Sequence, residues 1–429
     1  MNIHIQHGHL IDPKNKLDAR QDIFISLGKV VGIGHAPDGF LAEQVIDATN
    51  LIVCPGLIDL SARLREPGFE YKATLESEML AAAAGGVTSL ACPPDTDPVL
   101  DEPGLVEMLK HRAKQLNLTH VYPLGALTRQ LQGKELTEMC ELTEAGCVGF
   151  SQADIAITDT LVLFRAMQYA ATFGFTVWLR PEETYLAKDG IAHDGEVASR
   201  LGLRGIPAIA ETIAITTILR LALETGAKVH LCRLSTREGV ELVREAKTQG
   251  LNVTCDISAN HLHLTEYDIG FFNANCHLKP PLRSQRDRDA LSIGLADGTI
   301  DAVCSDHTPV DDDAKLVPFA EAEAGATGLE LLLPLSLKWA SEQKIPLSAA
   351  IARLTTAPAQ ILGLDAGHLS VGSNADICIF DPQHYWKIEA KSLISQGKNT
   401  PFLGMEVAGK VRFTLLNGRV QFALSPTGG

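Results

Sequence analysis

The sequence predicts a (β/α)8 TIM-type barrel carrying a small β-sandwich formed by both chain termini. Three observations predict it. Between residues 55 and 365, eight short apolar runs alternate with stretches of helical periodicity, and eight such units in about 300 residues fit a closed barrel. Most of the runs are nearly continuously apolar, as strands buried on both faces must be. Both ends of the chain read instead as short alternating strands. A doubly wound open sheet is the competing architecture, but no Gly-x-Gly-x-x-Gly follows a first strand to favour it.

The elements follow in order. In residues 1–54, Asn2-Ile3-His4-Ile5-Gln6-His7 alternates, Asp22-Ile23-Phe24-Ile25-Ser26 repeats the pattern, and Leu27-Gly28-Lys29 makes a turn. Residues 366–429 match them, with Asp376-Ile377-Cys378-Ile379-Phe380, Val411-Arg412-Phe413-Thr414-Leu415 and an Asn417-Gly418 hairpin turn. These two segments are assigned to one composite sandwich, and 55–365 to the barrel. Its strands are predicted at 56–63, 87–93, 119–125, 147–152, 174–180, 227–233, 251–258 and 300–306. Leu75 to Ala84 and Ile213 to Glu224 exemplify the helices between them. Asp311-Asp312-Asp313-Ala314-Lys315 reads as the most mobile loop.

Composition narrows the function. The 429 residues suffice for one large and one small domain, and the formal charge of −15 opposes nucleic acid and anionic membrane as partners. Nine cysteines, none in a Cys-x-x-Cys pair, lie mostly inside apolar runs and read as buried hydrophobes in a reducing compartment. Met1-Asn2-Ile3-His4-Ile5 lacks the basic region and apolar run of a signal peptide, and no charge-free apolar stretch is long enough to span a bilayer. A soluble, cytoplasmic protein is expected.

In such barrels chemistry gathers at the C-terminal ends of the strands. Those ends read Arg63, Asp95, Gln152, Arg180, Arg233, His261 and Asp306-His307. One arginine alone reads as a solvated surface charge. Three inside a barrel mouth must each find an anion or bear a large desolvation penalty.

Taken together, the motifs resemble dihydroorotase of the type joined to aspartate carbamoyltransferase, within the amidohydrolase superfamily. The resemblance covers nearly the whole chain. It rests on Pro55-Gly56-Leu57-Ile58-Asp59 with Leu64-Arg65-Glu66-Pro67-Gly68, Pro94-Asp95-Thr96-Asp97-Pro98, and His230 to Thr236. Pro280-Pro281-Leu282-Arg283, Ser305-Asp306-His307-Thr308-Pro309 and Gly397-Lys398-Asn399-Thr400-Pro401-Phe402 complete it.

The departures from that family are as specific as the matches. By resemblance, the first two metal histidines fall at Ser61 and Arg63, the acidic bridging position at Gln152, and the third and fourth histidines at Arg180 and Arg233. The catalytic aspartate is present as Asp306. Of the substrate contacts, the arginine is kept as Arg65. One asparagine has become Asp95, another Lys279, and the later histidine Val310. A guanidinium has no lone pair for a metal, and the family's reaction needs a metal to make hydroxide and polarise the ring carbonyl. The expectation is therefore a protein without dihydroorotase activity, metal or cofactor, whose arginines pair with Asp306, Asp95 and Glu182. The resemblance implies a non-catalytic subunit, hetero-oligomeric with the catalytic subunit of aspartate carbamoyltransferase and also self-associating, that supports that enzyme in pyrimidine biosynthesis. Two alternatives stand beside it. A residual hydrolase would use a different metal site, for which His261-x-His263 and His7-x-His9 are the remaining pairs. A sensor would bind an anionic metabolite through Arg63, Arg65, Arg180, Arg233 and Lys279.

Overall fold

The computed structural model describes residues 1–424. Its centre is the barrel. The first strand, Leu57–Asp59, runs parallel to the second, Val87–Cys92, with Asp59 opposite Leu90. The third, His120–Pro123, lies on the other side of the second and continues as Gly125–Ala126 against the fourth, Phe150–Ser151. The fifth (Thr176–Leu179), sixth (Lys228–Leu231), seventh (Val253–Ser258) and eighth (Ala302–Cys304) follow in parallel register. Closure comes from a parallel bridge between Ala62 and His307, where Arg63 N donates to His307 O and His307 N to Ser61 O. The strands lie inside their predicted windows, except that the continuation Gly125–Ala126 runs one residue past 119–125. Regular pairing is shorter than the apolar runs because several strand ends turn sharply into the mouth.

Helix Leu75–Ala84 has its predicted bounds because Thr74 and Ser77 form a reciprocal capping box at its start. The helix Ile209–Thr225 begins a turn earlier than the apolar pattern suggests, Ala208 before it already having helical φ −57° and ψ −30°.

The terminal strands make two sheets. One is four-stranded, in the order Lys29–Ile33, Ile23–Ser26, Asn2–Gln6, Gln44–Asp47. The other is six-stranded and interleaves the two ends of the chain. It runs Arg419–Ala423, Glu406–Leu416, Ile377–Lys387, then Ile52–Pro55, His9–Asp12, Leu17–Arg20. Ile3, Ile5, Ile23, Ile25, Val53, Ile377 and Leu415 fill the core between them. Both predicted turns are two-residue hairpins with left-handed backbones, at Leu27 (φ 51°)–Gly28 (80°) and Asn417 (48°)–Gly418 (68°). They stack on each other: a Cβ on Gly418 would lie 2.9 Å from the Cα of Gly28.

All nine cysteines are free, and seven are buried. The 311–315 segment contains a short helical turn. Asp312–Lys315 forms a 3-10 turn, held because Lys315 Nζ donates to the carbonyls of Ala274 (2.9 Å) and Glu323 (2.6 Å). Among the described residues, no helix is long and apolar enough to cross a membrane.

Candidate functional site

Four residues in the mouth hold left-handed φ values: Arg65 (62°), Ala153 (50°), Arg233 (55°) and Asp306 (50°). Each lies just past a barrel strand, and each sharp turn redirects the chain at the rim. Such conformations are sparsely populated for residues other than glycine and are held in place by surrounding contacts.

Arg63, Arg180 and Arg233 meet in the centre, all buried. Their shared anion is Asp154. Arg63 Nη2 donates to Asp154 Oδ2 at 2.8 Å, Arg233 Nη2 to Oδ1 at 2.5 Å, and Arg180 Nε lies 3.0 Å from Oδ1. Each arginine then takes further acceptors. Arg63 Nε donates to Asp95 at 2.7 Å and its Nη1 to Thr308 Oγ1 at 3.0 Å. Arg180 grips Glu182 with two parallel bonds of 2.7 and 2.8 Å, the strong fork geometry of guanidinium and carboxylate. Arg233 Nη1 donates to Asp306 at 2.7 Å, and Arg63 Nη1 stands 3.7 Å from the same oxygen. The predicted partners Asp306, Asp95 and Glu182 are therefore all present.

The electrostatics follow from burial opposed by pairing. Burial pushes the Asp154 carboxyl up, but Arg233, Arg63 and Arg180 overcome it and hold it well below the usual carboxylate range. Burial dominates at Asp306 and raises it despite Arg233 and Arg63. Burial alone would lower Arg63; Asp95 and Asp154 reverse this and raise it. Arg65 differs. Its Nε donates to the Pro309 carbonyl at 2.7 Å, and it forms no ion pair with a carboxylate among the described residues. Burial, with the Arg63 charge beside it, pushes Arg65 down to about 10.

Several residues flagged from sequence lie outside this cluster. Gln152 is buried but bonds Thr128 Oγ1 and the Leu131 carbonyl, not an arginine. The Lys279 side chain is exposed, and only its carbonyl reaches Arg233, at 3.4 Å. Ser61 is buried and contributes backbone to barrel closure. His307 is a brace: its Nε2 lies 2.6 Å from Glu78 Oε2, and its Nδ1 accepts from Gly328 N. His261 and His263 do not converge, since their Nε2 atoms donate to different carbonyls, Pro281 and Leu335. Burial pushes both imidazoles down to about 4. His7 and His9 likewise take separate partners, Asp47 and Asp18.

Sequence reading missed Asp154 as the hub. It stands two residues past the position matched to the bridging acid, and the left-handed turn at Ala153 that precedes it leaves no mark in spacing. Thr308 was also missed; it lies within a matched motif but has no charge to draw notice.

The superfamily's divalent metals need imidazole and carboxylate donors. The residues gathered here do not fit one: the central side chains are arginines, whose guanidinium groups offer no lone pair. Among the described residues, no three His, Cys, Asp or Glu side chains are grouped to hold an ion.

Comparison with known proteins bears on the family and the fold. Residues 50–239 match the dihydro-orotase-like family model, and residues 295–422 the amidohydrolase family model. A dihydroorotase-like protein of Pseudomonas aeruginosa is 44% identical over 98% of this chain and 99% of its own length. One from Pseudomonas putida is 41% identical over 98% and 99%. A protein of Geobacter sp. named dihydroorotase is also 41% identical, with the same coverage. Among solved structures, the L-hydantoinase (dihydropyrimidinase) of Arthrobacter aurescens superposes with a TM-score of 0.87 at 25% identity, covering 97% of this chain and 95% of its own.

Proposed function

The chain belongs to the dihydroorotase-like family of the amidohydrolase superfamily, and on that premise we propose that it is a non-catalytic subunit. Its role is to support assembly of aspartate carbamoyltransferase in pyrimidine biosynthesis. One observation carries the reading: Arg63, Arg180 and Arg233, which the resemblance aligns with metal histidines of the family, are buried together and paired with Asp154, Asp306, Asp95 and Glu182. Asp306, which the resemblance aligns with the family's base, is paired with Arg233 at 2.7 Å. An intact barrel and sandwich around a centre unsuited to metal fit a protein kept for its surface. The carbamoyltransferase is the partner implied by the family resemblance.

Two experiments test this. The purified protein, assayed in both directions with added zinc, cobalt or manganese, should turn over neither dihydroorotate nor carbamoyl aspartate. Turnover that disappears in Asp306→Ala would establish the hydrolase alternative, a name several relatives carry. Purification from the native source should bring the carbamoyltransferase with it; a monodisperse monomer indifferent to that enzyme defeats the assembly role.

A second reading is favoured by Arg65, the guanidinium of the mouth left without a carboxylate. Arginine suits carboxylates, so the same site fits an anionic-metabolite sensor. Calorimetric titration with carbamoyl aspartate and dihydroorotate separates the readings: a purely structural network gives no heat.

A further inference from the structure

The loops after the seventh and eighth barrel strands present an apolar knob to solvent. Phe271 is 93% exposed, with Tyr267 at 52% and Phe272 at 40%. The two phenylalanine rings meet edge to face, their centroids 5.6 Å apart. This is an ordered projection. Gly270 N donates to Tyr267 O, Asn273 N to Ile269 O and Cys276 N to Asn273 O, while Ile269 is buried beneath. Phe272 holds φ +62°, a conformation that bulky residues rarely adopt.

The adjoining 311–323 segment is laced to the knob's base by Lys315, whose Nζ donates to the Ala274 carbonyl. It adds Leu316, 80% exposed, and an edge of exposed acids, Asp311, Asp312 and Asp313. Asp268 is exposed within the knob itself. The patch is thus aromatic at its centre and negative at its border, the composition of a docking surface with an apolar core and polar rim.

We infer that this knob is where the chain engages its assembly partner, seating Phe271 and Phe272 in an apolar pocket bordered by lysine or arginine. The inference rests on the reading of the chain as an assembly subunit and adds the surface and the partner's chemistry. The acidic border selects a basic protein rim and opposes an anionic bilayer.

The test titrates the full-length chain against the purified aspartate carbamoyltransferase catalytic subunit of the same source, followed by light scattering at low and high salt. Phe271→Ser alone, and with Phe272→Gly, which also relieves the left-handed strain, should raise the dissociation constant roughly 30-fold or more, as loss of an interface anchor does. The triple variant D311N/D312N/D313N should slow association and flatten its salt dependence. Wild-type binding that both phenylalanine variants leave unchanged overturns the surface while the assembly role stands. Failure of the wild type to bind overturns the assembly role and this inference with it. Self-association of the wild type lost in Phe271→Ser assigns the knob to a second copy and also overturns the inference.

Discussion

At the scale of single residues, Asp154 has the largest predicted effect. Three buried guanidiniums share its carboxylate, and removing one member of a buried charge network leaves the others uncompensated. Asp154→Asn should destabilise the fold by about 3–5 kcal/mol, read from urea unfolding at neutral pH. The pH dependence has a definite sign. The folded-state pKa of Asp154 is depressed, so its contribution is present above the unfolded carboxylate value and is lost as pH falls through and below it. The gap between wild type and Asp154→Asn should match at pH 7 and 5 and shrink below about pH 4. Asp306, raised by burial and also by the Asp154 charge, has the opposite dependence. An unchanged gap down to about pH 3 would remove Asp154 from the network. The arginines themselves were legible in sequence, because charged residues at the ends of apolar strands are conspicuous. Their hub was not, because one torsion at Ala153 decides where Asp154 points.

At the scale of elements, strands and turns were legible wherever local chemistry alone decides conformation. Gly28, Asn417 and Gly418 are residue types that tolerate positive φ and mark their two-residue turns, while the bulky Leu27 is carried to φ 51° by the turn itself. What the sequence conceals is that the turns touch. A Cβ at Gly28 would sit 2.8 Å from the Asn417 carbonyl oxygen, at a φ of +80°. Gly28→Ala therefore suffers both strain and collision, and should lower stability by about 1–3 kcal/mol. Gly39 has a similar φ of +75° but nothing within 4 Å of an added Cβ, so Gly39→Ala serves as the strain-only control. Equal thermal midpoints for the two variants would show that the turn contact contributes nothing. The brace made by His307 was hidden for the same reason: sequence placed His307 beside Asp306, and only the fold shows it turned to Glu78.

At the scale of the whole molecule, the outline was legible and the surface was not. Eight apolar runs announce a barrel, but no run announces that Phe271 will face water, since its exposure depends on how two rim loops pack. The proposed metal independence has a global readout. A ligand that binds only the folded state stabilises it by mass action, about 4 kcal/mol at a thousandfold excess over its dissociation constant. Zinc should leave the melting temperature unchanged, and a chelator should leave the protein folded; a rise of several degrees with zinc would reveal a bound ion. Interleaving of the two chain ends in the six-stranded sheet has its own consequence during synthesis. Ile52–Pro55 is flanked in the finished protein by Ile377–Lys387, which leaves the ribosome more than three hundred residues later. Until then one side of that strand is an open template for any passing nascent chain. Translation that stalls late should therefore yield aggregates, whereas a finished polypeptide closes the vulnerable edge with its own last strands.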